Sequence, residues 1–129
     1  MSDMSDSDPS DTTRRRLPTI LLTLGHLHGE LRALHGLSLP GYLVLGAVAE
    51  AGGGPVPVAR LTAFLRESGT RMTSLLKGLQ AAGLIERDRR AADRRTVEVT
   101  LTDAGRARFA DAERTARALL RGSLGPGPS

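Results

Sequence analysis

The sequence predicts a mostly α-helical domain with one small β-hairpin, in the order α-α-α-α-β-β-α. Three observations carry this reading. Apolar residues recur at spacings of three and four through most of the chain, the mark of amphipathic helices. After Gly83 the period shortens to two, the mark of strands with one buried face. Gly, Pro and hydroxyl residues punctuate the pattern where one element should give way to the next. At 129 residues the chain is long enough for one domain and too short for two.

Residues 1–13 contain Asp3, Asp6, Asp8 and Asp11, no basic residue and almost nothing apolar, so they read as a disordered acidic tail. The folded domain is expected over residues 14–121, and the Gly/Pro/Ser-rich stretch 122–129 reads as a flexible tail. The first helix, about 14–35, carries Ile20, Leu24, Leu27, Leu31 and Leu34 as one stripe, widened by Leu17, Leu21 and His28. Gly36 stops it. The second starts at Ser38, an N-cap residue type, with Pro40 tolerated in the first turn. It runs through Tyr42, Leu45, Val48 and Ala49 to Gly52-Gly53-Gly54, and its broad apolar surface marks it as the central helix.

Pro55-Val56-Pro57 is an extended link with room for a short extra strand near Val56. A third helix over 58–66 is expected to turn Leu61, Phe64 and Leu65 inward. Ser68-Gly69-Thr70 makes a tight turn and cap, and a fourth helix over 71–82 places Met72, Leu75, Leu76 and Leu79 on one face. Strands follow at 84–87 and 96–101. In the second, Val97, Val99 and Leu101 point inward and Glu98 and Thr100 outward, with a charged loop over 88–95 between the strands. Thr102 caps a last helix from 103 to about 121, which carries Ala104, Ala107, Ala110, Leu119 and Leu120.

Composition removes several classes of function. The chain has no cysteine, which excludes disulfides, thiolate zinc sites, a catalytic thiol and a thiol redox sensor. Aromatics are limited to Tyr42, Phe64 and Phe109, too few for the stacking platforms that grip single strands. No apolar run reaches the roughly 18 residues that span a bilayer, so no membrane role and a cytoplasmic location are expected. Arg14-Arg15-Arg16 before an apolar stretch imitates a signal peptide, but Gly25, His26, His28 and Glu30 interrupt it and no cleavage site follows. Gly52-Gly53-Gly54 lacks the Lys-Ser/Thr ending of a phosphate loop, and no nucleophile elbow or other catalytic spacing occurs, so no enzyme is expected.

Charge points to a polyanionic partner. Residues 14–129 hold all 18 basic residues and only 10 acids, a surplus of +8. Residues 60–95 alone hold nine basic residues against four acids, so more than half of the surplus sits on the third and fourth helices and the hairpin. Two short helices joined by a Gly-containing turn form a helix-turn-helix candidate. On the fourth helix Thr70, Arg71, Thr73, Ser74 and Lys77 lie opposite the apolar stripe. Short hydroxyl residues near a helix N-terminus suit phosphates and base edges, and Arg71 suits a bidentate contact with guanine. The hairpin supplies Arg89, Arg90, Arg94 and Arg95 for phosphates and a narrow minor groove.

Gly83-Leu84-Ile85-Glu86-Arg87, then Asp93-Arg94-Arg95, then Val97-x-Val99-x-Leu101-Thr102-x-x-Gly105 resembles the wing signature of the MarR family of bacterial winged-helix transcription regulators. Leu37-Ser38-Leu39-Pro40-Gly41-Tyr42-x-x-Leu45 resembles the start of that family's second helix, and Met72-Thr73-x-Leu75-Leu76-x-x-Leu79 its recognition helix. The resemblance covers about residues 14–121. It implies a winged helix-turn-helix, a homodimer on a palindromic double-stranded operator, a recognition helix in the major groove and wings at the minor groove. It also implies that Asp93 pairs with an Arg to shape the wing, with Arg87 as the partner and Arg94 facing the groove. Members usually continue into a further helix that completes the dimer. Here Gly125-Pro126-Gly127-Pro128 follows soon after Leu124, which leaves the first and last helices to carry dimerisation.

His26, His28 and His35 lie on the first helix without the Asp, Glu or Cys partners of a metal site, so neither a metal nor another cofactor is expected. By the same resemblance, a cleft near His28, His35 and Tyr42 is expected to take a small lipophilic or aromatic effector. The sequence thus points to a DNA-binding transcriptional regulator, a dimeric repressor released by a small ligand. The alternative is a winged-helix interaction module whose basic face meets an acidic protein and not specific DNA.

Overall fold

The structure, a computed structural model, describes the backbone of residues 9–90 and 93–124 and the side chains of 16–89 and 95–122. Five helices and three strands follow in order: α1 (Pro9–His35), α2 (Leu39–Glu50), β1 (Val56–Pro57), α3 (Val58–Leu65), α4 (Gly69–Ala81), β2 (Ile85–Arg90), β3 (Asp93–Leu101) and α5 (Asp103–Leu124). The mostly helical fold with one hairpin is the class expected. The optional strand near Val56 is present, and it joins the hairpin in one antiparallel sheet of order β1-β3-β2.

The ends of the domain correct the expected boundaries. α1 already begins at Pro9, so residues 9–13 are helical and not tail, and α5 carries the helix through Leu124. A proline in the first turn and an acidic residue just behind it suit a helix N-terminus, so the position of these residues outweighs their polarity. The rest of both tails lies outside the described residues.

The core is aliphatic. α2 crosses its centre with Val44, Leu45 and Val48, and Leu27, Leu31, Leu61, Met72, Leu76, Ile85 and Val99 close around them. Ser38 caps α2 as expected, its hydroxyl accepting from the Gly41 amide at 3.1 Å. The inward assignment of Phe64 is corrected, and the apolar rows of α1 and α5 are only partly buried. Leu34 is 62% exposed and Leu24 is also exposed, because α1 buries the row Thr23, Leu27 and Leu31. Phe64 is 60% exposed although Leu61, three residues earlier, is buried. On α5 the buried positions are Ala112 and Ala116, while Ala104, Ala107 and Ala110 face outward.

The hairpin is longer than its alternation suggested. The pairing runs from Ile85 opposite Leu101 to Arg90 opposite Asp93, with an irregularity between Arg89 and Arg90. Most of the charged loop expected over 88–95 is therefore strand. A hairpin that leaves the core loses its in–out alternation but keeps its ladder hydrogen bonds, so polarity alone misplaces its ends. At the base, the Thr102 hydroxyl accepts from the Gly105 amide at 3.0 Å and donates to the Gly83 carbonyl at 2.6 Å. A Cβ on Gly105 would lie 2.0 Å from the Leu84 carbonyl oxygen, so only glycine lets α5 start this close to β2. Gly54, at φ +101, likewise passes so near β3 that a Cβ would meet the Val99 carbonyl at 2.5 Å. The triple glycine is a close-approach turn. Among the described residues no single helix is long and apolar enough to cross a membrane.

Candidate nucleic-acid interface

α3 ends at Arg66, whose left-handed backbone (φ 57) turns the chain sharply toward α4. Ser68 then caps α4, its hydroxyl accepting from the Arg71 amide at 3.1 Å. The helix starts two residues earlier than expected, so Thr70 stands within its first turn. Met72, Leu76 and Leu79 anchor α4 in the core. That anchoring leaves Thr70, Arg71, Thr73, Ser74 and Lys77 all exposed on the outer side. Thr70, Thr73, Ser74 and Lys77 border an open concavity of about 640 Å³. Arg71 stands beside it above a groove shared with Pro40, Glu67 and Leu75. The structure thus brings together all five residues proposed for this helix.

Two residues that the sequence reading passed over act on this surface. Glu67 places a carboxylate oxygen 3.7 Å from the Arg71 guanidinium, one helical turn away. Their spacing of four was a visible signal for an ion pair. Gln80, at the end of α4, accepts a 2.7 Å hydrogen bond from Nε of Arg87 on β2. Nothing in local spacing announces that bond, because a turn separates the two residues. The side chain of Asp93, the partner expected for Arg87, lies outside the described residues. Arg87 stands opposite Val99, and Arg90, three residues further along β2, stands opposite Asp93.

On the wing, Arg89 faces Val97 across the ladder, and both Arg89 and Arg95 are exposed. The Arg90 backbone lies opposite Asp93. The side chains of Arg90, Asp93 and Arg94 fall outside the described residues.

The three residues expected at an effector cleft separate. His28 is exposed. His35 hydrogen-bonds through Nε2 to the Thr115 hydroxyl of α5 at 2.8 Å, and its carbonyl accepts from Arg108 at 2.8 Å, so it ties α1 to α5. Tyr42 borders a cavity that α2 shares with α3 and α5. Burial, and next the nearby Glu113 carboxylate, push the Tyr42 phenol above its ordinary 10.0, while Arg117 opposes them. No group of three metal-ligating side chains occurs among the described residues.

Two short helices, the second anchored by its apolar side and bare on its polar side, followed by a hairpin that shares a sheet with β1, define a winged-helix protein. Residues 35–96 match the model of the MarR family. Over 82 residues the chain is 43% identical to the HTH-type transcriptional regulator TtmR of Methylorubrum extorquens. The match takes in 64% of this chain and 41% of the relative, so the chain spans about two fifths of that curated protein's length. Among solved structures it superposes on Sco3205, a MarR family transcriptional regulator from Streptomyces coelicolor in complex with DNA. The TM-score is 0.80 at 19% identity, covering 92% of this chain and 74% of that one. CouR from Rhodococcus jostii, bound to p-coumaroyl-CoA, gives a TM-score of 0.74 at 23% identity, covering 98% and 85%. At these identities the two structures speak for the fold.

Proposed function

We propose that the chain is a DNA-binding transcriptional regulator, a cytoplasmic homodimeric repressor on a palindromic operator, released by a small apolar or aromatic ligand. The observation that carries this reading is the outer side of α4. Five residues able to bond base edges and phosphates stand exposed together there, while the opposite side locks the helix to the core. In this reading α4 enters the major groove, where Arg71 reads a guanine and Thr70, Thr73, Ser74 and Lys77 meet bases and phosphates. The wing lies along the minor groove, with Arg94 in the groove and Arg89, Arg90 and Arg95 near phosphates. Asp93 shapes the wing tip. The Gln80–Arg87 bond holds the wing at a set angle to α4, so that both grooves are met together.

Dimerisation is supported by the exposed row Leu17, Leu21 and Leu24 on α1, which this chain does not cover and a second copy can. Sco3205, with its DNA, and CouR, with its ligand, show that relatives of this shape hold such partners. Selection of bound sequences from random duplex DNA tests the reading. The expected result is a two-fold symmetric consensus with half-sites about one helical turn apart, and affinity that falls steeply with salt. An asymmetric one-to-one complex counts against the dimer, and no enrichment with retention of acidic proteins favours an interaction module.

A further inference from the structure

The chain has three aromatic residues: Tyr42 and Phe109 pack half-buried at the edge of the core, and Phe64 is exposed. All three, Tyr42, Phe64 and Phe109, line one cavity of about 440 Å³ between α2, α3 and α5. A single exposed aromatic is ordinary on a protein surface. Gathering the whole aromatic complement of a chain around one opening, while the core is filled with Leu, Val and Ala, is not. The Tyr42 and Phe109 rings stack with centroids 5.3 Å apart and planes inclined by 25°. Gly46 permits this, since a Cβ there would come within 3.1 Å of the Phe109 ring. Phe64 stands largely free on the facing helix, with a second hollow of about 220 Å³ on its other side.

The charge at this opening is opposite to that of the molecule. The cavity is lined by two carboxylates, Glu50 and Glu113, and by no basic residue. Glu113 is engaged by Arg117 at 3.5 Å. Glu50 is exposed and makes no ion pair among the described residues. Arg60 lines the second hollow, where Glu50 and Phe64 also stand. Aromatic faces attract cations, a neighbouring carboxylate adds to that attraction, and a volume of this size suits a small molecule.

We propose that this cavity binds a planar aromatic cation, with its ring system between Phe64 and the Tyr42–Phe109 pair and its positive group at Glu50. The proposal refines the ligand-release reading above by naming the site and the charge of its ligand. It also places the ligand against α3, the helix that leads directly into α4.

The chain has no tryptophan and one tyrosine, so Tyr42 is a built-in fluorescent reporter located in the site. Berberine, a planar aromatic cation, is titrated into the full chain without DNA, with anilinonaphthalene sulfonate as the anionic comparison. Saturable one-to-one quenching of Tyr42 by berberine is expected. Glu50→Gln and Phe64→Ala, both at exposed positions, should each weaken it about tenfold, a change of about 1.4 kcal/mol. Berberine that fails to bind, binds both variants as tightly as the parent, or binds no better than the sulfonate overturns the proposal. Operator binding is measured separately. A chain that binds berberine as expected but no DNA keeps this site and loses the regulatory reading, and the converse result does the opposite.

Discussion

A division of labour among single side chains is the sharpest consequence of the proposed interface. In that proposal Arg71, which projects from α4, reads a base edge. Arg71→Ala should cost about 1–3 kcal/mol on operator DNA and little on random duplex. Arg94 belongs to the wing, where contacts are to phosphates and a degenerate groove. Arg94→Ala should weaken both DNAs similarly and flatten the salt slope. Affinities of both variants on both DNAs at two salt concentrations check this, and equal loss ratios would refute the division. Glu67 complicates Arg71 in a useful way, since its carboxylate holds the guanidinium in the free protein and must compete with a guanine for it.

Tyr42 makes a second prediction at this scale. Its phenol is raised above 10.0 in the folded chain, first by burial and then by Glu113. The folded state therefore holds the proton to higher pH than the unfolded chain does. The stability this contributes is complete below pH 10 and is lost as pH rises through the folded pKa. Tyr42→Phe should remove that part of the alkaline loss, measured by urea denaturation at pH 8 to 11. An identical pH profile in the variant would show that the ring is not desolvated.

Elements meet at two joints, and each can be broken alone. The first is the start of α5 under β2. Gly105→Ala forces a methyl group against the Leu84 carbonyl, and even a modest rearrangement should cost about 1–3 kcal/mol. The drop in thermal midpoint should appear without any change in the charge of the DNA-facing surface. The second joint is the bond between Gln80 and Arg87 that ties α4 to the hairpin. Gln80 touches no proposed DNA position. Gln80→Ala should nevertheless reduce operator affinity several-fold with little change in stability, because the wing loses its fixed angle to α4. Restoration of affinity by Gln80→Glu, which keeps an acceptor for Arg87, separates this from a general loss of structure.

For the whole molecule the open question is what covers α1. Leu21 is 58% exposed, and Leu17 and Leu24 continue its row. Leu21→Glu should give monomers with weakened operator binding and an unchanged fold, read by sedimentation and circular dichroism. A dimer that survives the charge would place the interface elsewhere. Cutting away residues 112–129 would be a poorer test, because Ala112 and Ala116 belong to the core of the single chain.

Local patterns in the sequence determined the helices, the hairpin, the Ser38 and Thr102 caps and the polar side of α4. Each rests on spacing within a few residues: Met72, Leu76 and Leu79 define a buried side, and the opposite side follows from helical geometry. The wing motif was legible for the same reason, with Thr102 and Gly105 making their contacts where one strand turns into a helix. Tertiary structure decided what depends on distant partners. Which of two apolar rows on α1 is buried turned on where α5 lies, so Leu27 and Leu31 went in and Leu24 and Leu34 stayed out. Arg87 found Gln80 across the turn between α4 and β2. His35 was drawn to Thr115, and Tyr42 joined Phe64 and Phe109, residues far apart in sequence. Periodicity reports which residues share a side of an element, and only packing determines what that side meets.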